Sequence, residues 1–564
     1  MDAEIKQCQN CKKEFTIESE DFKFYEKIKV PPPTFCPECR FVRRLCFRNE
    51  RFLYKRACDL CKKSIISSYD SGVSFPVYCP ECWRSDAWEG LEYGKNYDFS
   101  KSFFEQWKEL FSRVPRPSLF QIGNCLNVEY THLIKDAKNV YLSYSVVLSE
   151  NVWYSNMIDD SKEIMDSYSV TEGNLLYENL SSVKNYDSKY TYWSSNCMNC
   201  NFVFDCINCS NCFGCVNLRN KQYCIWNERY SREEYLEKTK NLNMGSHSFV
   251  QETYKRFWDL TQKFPRKYSR ILNSVNSIGD DIRNCKNVNF AFYVYDSENT
   301  KFAYRCKQAK NSMDVCFMEA ESAYEHASGG SPQSSNIKFI MNGCQTSNDI
   351  EYSDLCQSSS NFFGCTGIKS KKYCILNKQY GKDEYVGLIN QIKKQMSDLP
   401  YIDKKGRVYK YGEFFPFELS PFGYNETLIN DLFPLTKEEA LQMGYNWKDK
   451  MENKYVTTKK AEEIPDDIKD VSDSILNETI ECAITKKPFK INPSELQFYR
   501  RMNIPIPRIH QDERYKKRFM LKNPPQLWHR KCTKEGCQNE FETSYAPERP
   551  EIIYCECCYQ QEVY

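Results

Sequence analysis

The sequence predicts a mostly β chain: a two-lobed parallel β-helix built on 11–12-residue repeats, with a small cysteine module at each end and connecting helices. Three observations predict it. Knuckles of the form C-x-x-C open the chain, and the same landmarks return in the same order at its end. A short asparagine phrase recurs through the middle. That middle also closes twice on one phrase, at a constant offset of 150 residues.

The N-terminal module carries four knuckles: Cys8 and Cys11, Cys36 and Cys39, Cys58 and Cys61, Cys79 and Cys82. Two cysteines three apart on a tight turn aim both sulfurs at one point about 2.3 Å away, and a second such turn completes a tetrahedron. Four thiolates leave no open position for water or substrate, so such a site is structural. Seventeen residues separate Cys61 from Cys79, within zinc-ribbon spacing. Four thiolates also suit iron. The spacing leaves the pairing of knuckles open, sequential or cross-braced.

The C-terminal module repeats this layout unevenly. Phe24-Tyr25 and Lys29-Val30-Pro31 match Phe498-Tyr499 and Asn503-Ile504-Pro505. One four-thiolate set survives as Cys532, Cys537, Cys555 and Cys558, with Cys557 spare. In the other, Cys482 remains, but Thr485, His510 and Glu513 stand where Cys11, Cys36 and Cys39 would be, and no metal is expected there. Three Zn2+ ions per chain are therefore expected. The run from Cys8 through Lys12-Lys13-Glu14-Phe15, Pro31-Pro32-Pro33 and Cys36-Pro37-Glu38-Cys39-Arg40 resembles the probable zinc-ribbon (treble-clef-like) domain family of bacterial proteins. The longer layout is similar to uncharacterised bacterial multi-zinc-ribbon proteins. The resemblance covers about the first 45 residues and part of the last 90; it implies zinc binding and no reaction.

Length and composition bound the rest. At 564 residues there is room for three or four domains. Aromatics reach 15%, which favours extended structure with stacked rings. A net charge of +2 gives no global pull toward nucleic acid. No apolar run follows Met1 and none approaches 18 residues, so neither signal peptide nor membrane span is read. Thirty cysteines, many in knuckles, then point to a reducing cytoplasm.

In the middle, the phrase appears at Asn127, Asn139, Asn151, Glu163, Asn174, Asn185, Asn196 and Asn208, in steps of 12, 12, 12, 11, 11, 11 and 12. The period is too short for a helical solenoid and suits a strand plus a turn. Two such units are expected to make one coil, with Val128, Val140, Val152, Ile164 and Leu175 inward and asparagines stacked as a ladder. The phrase resumes at Asn287, Asn299, Asn311, Asn336 and Asn348. Asn211 to Tyr235 and Asn361 to Tyr385 close the two runs. Ser231-x-x-Glu234 opens a helix after the first, Gly381 to Met396 is helical after the second, and Asp98 to Val114 is an amphipathic connector. The charged run Lys459 to Asp470 reads as a flexible linker. The divisions are 1–95, 96–118, 119–230, 231–280, 281–380, 381–470 and 471–564.

Three constellations bear on function. The run Cys197, Cys200, Cys206, Cys209, Cys212 and Cys215 is either stacked core or a further metal site. Asp159, Asp160 and Asp166 read as exposed turn residues, although some β-helix proteins cleave polysaccharides with such acids. Arg40, Arg43, Arg44, Arg48, Arg51, Lys55 and Arg56 cluster between aromatic residues in the first module, and Arg514, Lys516, Lys517 and Arg518 in the last. Such residues can grip phosphates and stack on unpaired bases. The expected function is therefore non-catalytic zinc binding with nucleic-acid contact, RNA rather than DNA. The alternatives are a protein-interaction or self-assembly scaffold and, behind both, a carbohydrate-active enzyme.

Overall fold

A computed structural model describes residues 2–449 and 456–564. Both lobes are parallel β-solenoids, and cysteine modules lie at both ends of the chain. In the first lobe, four-residue strands pair with the strand twelve residues on: Val128 with Val140, Val140 with Val152, Val152 with Ile164, Ile164 with Leu176. Interleaved strands do the same, through Val146, Ile158 and Val170. One 12-residue unit therefore closes a whole coil, where two units were expected.

The reason lies in the backbone. Every third residue is left-handed: Asn127, Tyr130, Leu133, Asp136 and Asn139 have φ between 47° and 62°. Four such corners turn the chain through a full circuit. A left-handed residue costs roughly 1 kcal/mol or more, and most for β-branched side chains. Among the described residues neither Val nor Ile occupies a corner; in the aliphatic columns they follow it and point inward. Leu175 departs from expectation for this reason. It sits on a corner, at φ 59°, and Leu176 fills the column. The apparent 11-residue steps came from asparagines in other roles. Asn185 is an inward residue whose amide meets the Ser194 carbonyl and the Cys197 N–H.

Each coil thus sends four side chains inward. Two opposite columns are aliphatic, and two are serine in the middle coils. Ser143 Oγ donates to the Tyr141 carbonyl at 2.9 Å and accepts the Ser155 N–H at 3.0 Å. Ser149 does likewise with Val147 and Ser161. In the last coils cysteine takes over. The thiols of Cys197, Cys200, Cys206, Cys209, Cys212 and Cys215 donate to the carbonyl two residues back at 3.4–3.6 Å. They fill the core as serine does, and all are buried. Outside, the asparagine ladder stands: Asn127 to Asn139 at 3.1 Å, Asn139 to Asn151 at 2.8 Å, and Asn151 to Glu163 at 2.7 Å.

Helices Arg232–Thr239 and Lys382–Asp398 follow the two lobes, the first with the Ser231–Glu234 capping box. The connector is shorter than expected, Phe103–Phe111; the Ser102–Glu105 capping box sets its start. The segment 459–470 is not loose. Asp466 accepts from Ser246 and Ser248, and Asp467 from Asn243, at the start of a helix on the other side of the first lobe's closing turn. Among the described residues no helix is long and apolar enough to cross a membrane.

Candidate metal centres

Three sets of four cysteine sulfurs converge, each set lying within 4.8 Å of one another. They are Cys8, Cys11, Cys36, Cys39; Cys58, Cys61, Cys79, Cys82; and Cys532, Cys537, Cys555, Cys558. The N-terminal knuckles therefore pair sequentially. Each set is built alike. A strand runs into a turn carrying the first knuckle, with Lys12 and Lys62 left-handed at φ 63° and Gly536 at 79° in the longer third knuckle. The second knuckle starts a helix. Cys36 precedes Pro37–Leu45, Cys79 precedes Pro80–Arg84, and Cys555 precedes Glu556–Val563.

The donor set fits a tetrahedral ion. Sulfurs bound at about 2.3 Å on a tetrahedron lie about 3.8 Å apart. Cys11 to Cys36 is 3.7 Å, Cys61 to Cys79 is 3.8 Å, and Cys537 to Cys555 is 3.9 Å. In each set the N–H that opens the second knuckle points at the first sulfur, at 3.3 Å, from Cys36 to Cys8, Cys79 to Cys58 and Cys555 to Cys532. Such bonds favour thiolate. Burial pushes Cys58 up, but the N–H groups of Cys79, Cys61 and Leu60 bring it to about 7. Burial also raises Cys555, which the Asn539 amide and the Cys558 N–H hold at about 6. Cys8 is held well below the ordinary thiol range by Cys36 and Cys39. In the fourth position of the duplication, Cys482 still accepts the His510 N–H at 3.2 Å. The His510 ring turns to the helix instead, where Nδ1 accepts the Asp512 N–H at 3.1 Å.

The arginines beside these centres point inward, contrary to the surface-contact expectation. Arg40, Arg43 and Arg44 are at most 1% exposed. Arg40 donates to Asp314 from Nε and Nη2 at 2.9 and 2.8 Å. Arg44 reaches Asp314 at 3.2 Å and Glu325 at 3.0 Å, and Arg43 bridges Glu325 and Glu413 at 2.8 and 2.9 Å. The acids belong to the second lobe and the segment beyond it. The C-terminal module mirrors this on the first lobe. Arg514 and Arg518 meet Asp166 at 2.8 and 3.0 Å, so Asp166 is buried rather than an exposed turn residue. Arg48 pairs with Glu50 at 3.0 Å, Arg51 with Asp431 at 3.5 Å and Arg56 with Asp59 at 2.8 Å. Of the eleven basic residues singled out, Lys55, Lys516 and Lys517 are exposed. Guanidiniums buried against carboxylates are out of reach of a phosphate on the surface.

Sequence reasoning missed the acids, which lie 270 or more residues from their partners. One signal was present. Arg40 and Arg44 recur as Arg514 and Arg518 at the duplication offset of 474, in the copy whose cysteines have been replaced. Arginines that persist where the thiolates do not must do something other than support metal.

Glu50 joins three parts. It accepts from Arg48 in the first module, Asn156 in the first lobe and Arg305 in the second. Burial alone pushes its carboxyl up, but Arg305 and Arg48 override this and hold it at about 2, against 4.5 ordinarily. A depressed carboxyl stabilises the fold fully above the unfolded value, and that stability is lost as pH falls through the folded value. The stability gap between wild type and Glu50→Gln should therefore narrow from pH 4.5 down to about 2, by on the order of 3 kcal/mol. Denaturant unfolding across that window checks it, and a gap independent of pH would count against this role.

The chain matches no protein-family model. No curated protein matches it.

Proposed function

We propose that the protein is a non-catalytic zinc-binding scaffold, in which the terminal modules clasp two β-solenoids into one rigid body. The observation that carries this reading is the pair of arginine clasps. The N-terminal module grips the second lobe at Asp314, and the C-terminal module grips the first lobe at Asp166. Each module thus holds the lobe farther from it in sequence. Zinc suits the closed four-sulfur sets, because a filled tetrahedron adds folding energy and offers no reactive position. Thirty cysteines, all free, suit a reducing compartment, and we place the protein in the cytoplasm.

Purified protein should carry three zinc ions per chain, one for each four-sulfur set. Metal analysis giving one or fewer, or an iron–sulfur absorption spectrum, would overturn that assignment. Removing the metal should loosen the modules while the solenoids keep their strands. Small-angle scattering should then show an enlarged radius of gyration with unchanged far-ultraviolet β signal. A chelated protein that stays as compact as the loaded one would show that metal is not what holds the N-terminal clasp. Turnover of any polysaccharide would remove the non-catalytic reading.

A further inference from the structure

We propose that a groove between the two solenoids, under the second cysteine centre, is a binding site for single-stranded nucleic acid. The groove encloses about 440 Å³. One wall is the start of the first lobe, with Phe120 and Lys135. The other is the second lobe, with Gln345 and Lys369. The helix after Cys79 closes one end with Trp83 and Arg84.

Charge is the first reason. Arg84, Lys135 and Lys369 all line the groove, and among its described lining residues there is no carboxylate. All three are exposed, and among the described residues none makes an ion pair. Some exposed lysines elsewhere on the lobes are neutralised by an acid one coil away, as Lys138 is by Glu150, Lys184 by Glu172 and Lys286 by Glu298. In the groove three such cations share one lining with no acid among its described residues. Partial burial and the neighbouring Arg84 also lower the Lys369 ammonium, the mark of cations gathered without counter-charge. Such a cluster is stabilised by an anion.

Shape is the second reason. The second lobe departs from its 12-residue step beside the groove, where Ala323 pairs with Ile337 and Ile337 with Ile350, steps of 14 and 13. The extra residues form loops around Gly329 and Gly343, at φ 97° and 48°. A Cβ on Gly329 would come within 2.6 Å of the Gly343 backbone, so only glycine allows the approach. The second loop brings Asn342 and Gln345 to the groove, where Gln357 Nε2 of the next coil donates to Gln345 Oε1 at 3.3 Å. Trp83 adds a flat ring, with the Lys369 ammonium 5.1 Å from its centroid. Cations along a backbone track, an aromatic face and adaptable amides are the parts of a single-strand site. The cavity is far too small to admit a duplex.

The substitutions that test this inference touch neither the clasp residues nor the cysteines, so its failure is distinguishable from failure of the scaffold reading. Fluorescence anisotropy with a labelled uridine 12-mer and the whole zinc-loaded chain is the measurement. Binding is expected at low salt and should weaken with a log–log slope of about −2, from three phosphate contacts on a single strand. Arg84→Glu, Lys135→Glu and Lys369→Glu together should bind roughly 30-fold more weakly, with a shallower slope. Zinc content and melting temperature should not move. Lys516→Glu with Lys517→Glu should bind as wild type does. No binding at low salt would overturn the proposal. So would an unchanged groove variant, or equally tight binding of polyglutamate, which would mark an acidic-peptide site.

Discussion

Asp314→Ala should release the N-terminal module from the second lobe and cost about 3–5 kcal/mol, the range for breaking a buried ion pair from one side. The network around it is balanced, with Arg40, Arg43 and Arg44 facing Asp314, Glu325 and Glu413. None of the six is more than 3% exposed. Removing Asp314 leaves both arginines that touch it short of a partner, with no water to replace the carboxylate. Glu325 cannot take over. Burial already pushes its carboxyl up despite Arg43 and Arg44, so desolvation outweighs attraction there. The cluster therefore contributes less to total stability than to deciding which surface the module grips. Asp314→Asn keeps the shape and an acceptor, and should fall between wild type and alanine. Asp166→Ala should do the same to the C-terminal module, where Arg514 and Arg518 share that one aspartate. Urea unfolding followed by limited proteolysis of each module gives the measurement. A loss below 1 kcal/mol for Asp314→Ala would mean the arginines are hydrated and the clasp is incidental.

Val152→Asp should be more damaging still, beyond the 4–5 kcal/mol that marks exceptional substitutions, and the first lobe should fail to fold. Val152 is fully buried, with Val140 and Ile164 stacked on either side of it in the same column. The lumen is closed, and its opposite column is Val146, Ile158 and Val170. A carboxylate there would meet aliphatic carbon and serine hydroxyls already bonded to the backbone, with no cation among the described residues to pair it. Val152→Ser is the control. Neighbouring columns already accept serine, because Oγ bonds the carbonyl two residues back. Serine should cost about 1–3 kcal/mol for lost apolar contact and leave the lobe folded. Equal unfolding midpoints for the Asp and Ser variants would show that the column is open to water and that the solenoid is not packed as described.

Much of this was legible in the sequence, for reasons local to a few residues. Knuckle spacing places two sulfurs on one turn, so the three metal-binding sets could be read without knowing where the modules sit. The 12-residue interval from Asn127 to Asn139 to Asn151 was visible because the same amide ladder repeats at each coil. The coil size was not legible. A strand-and-turn pattern does not announce that every third residue is left-handed, and asparagines such as Asn185 and Asn196 serve more than one position. That ambiguity moved the inward position from Leu176 to Leu175.

By itself, then, the sequence determined the periodic and covalently near features: the β-solenoid character of two related lobes, the thiolate sets, and the copying of one module to both ends. Tertiary structure alone decided where the arginines point. A run of arginine and aromatic residues has the same composition whether it faces phosphate or a buried aspartate, and Arg40 and Asp314 are separated by 274 positions. Only the fold brings them within 3 Å and excludes water, and exclusion of water turns a cationic helix from a surface into a clasp.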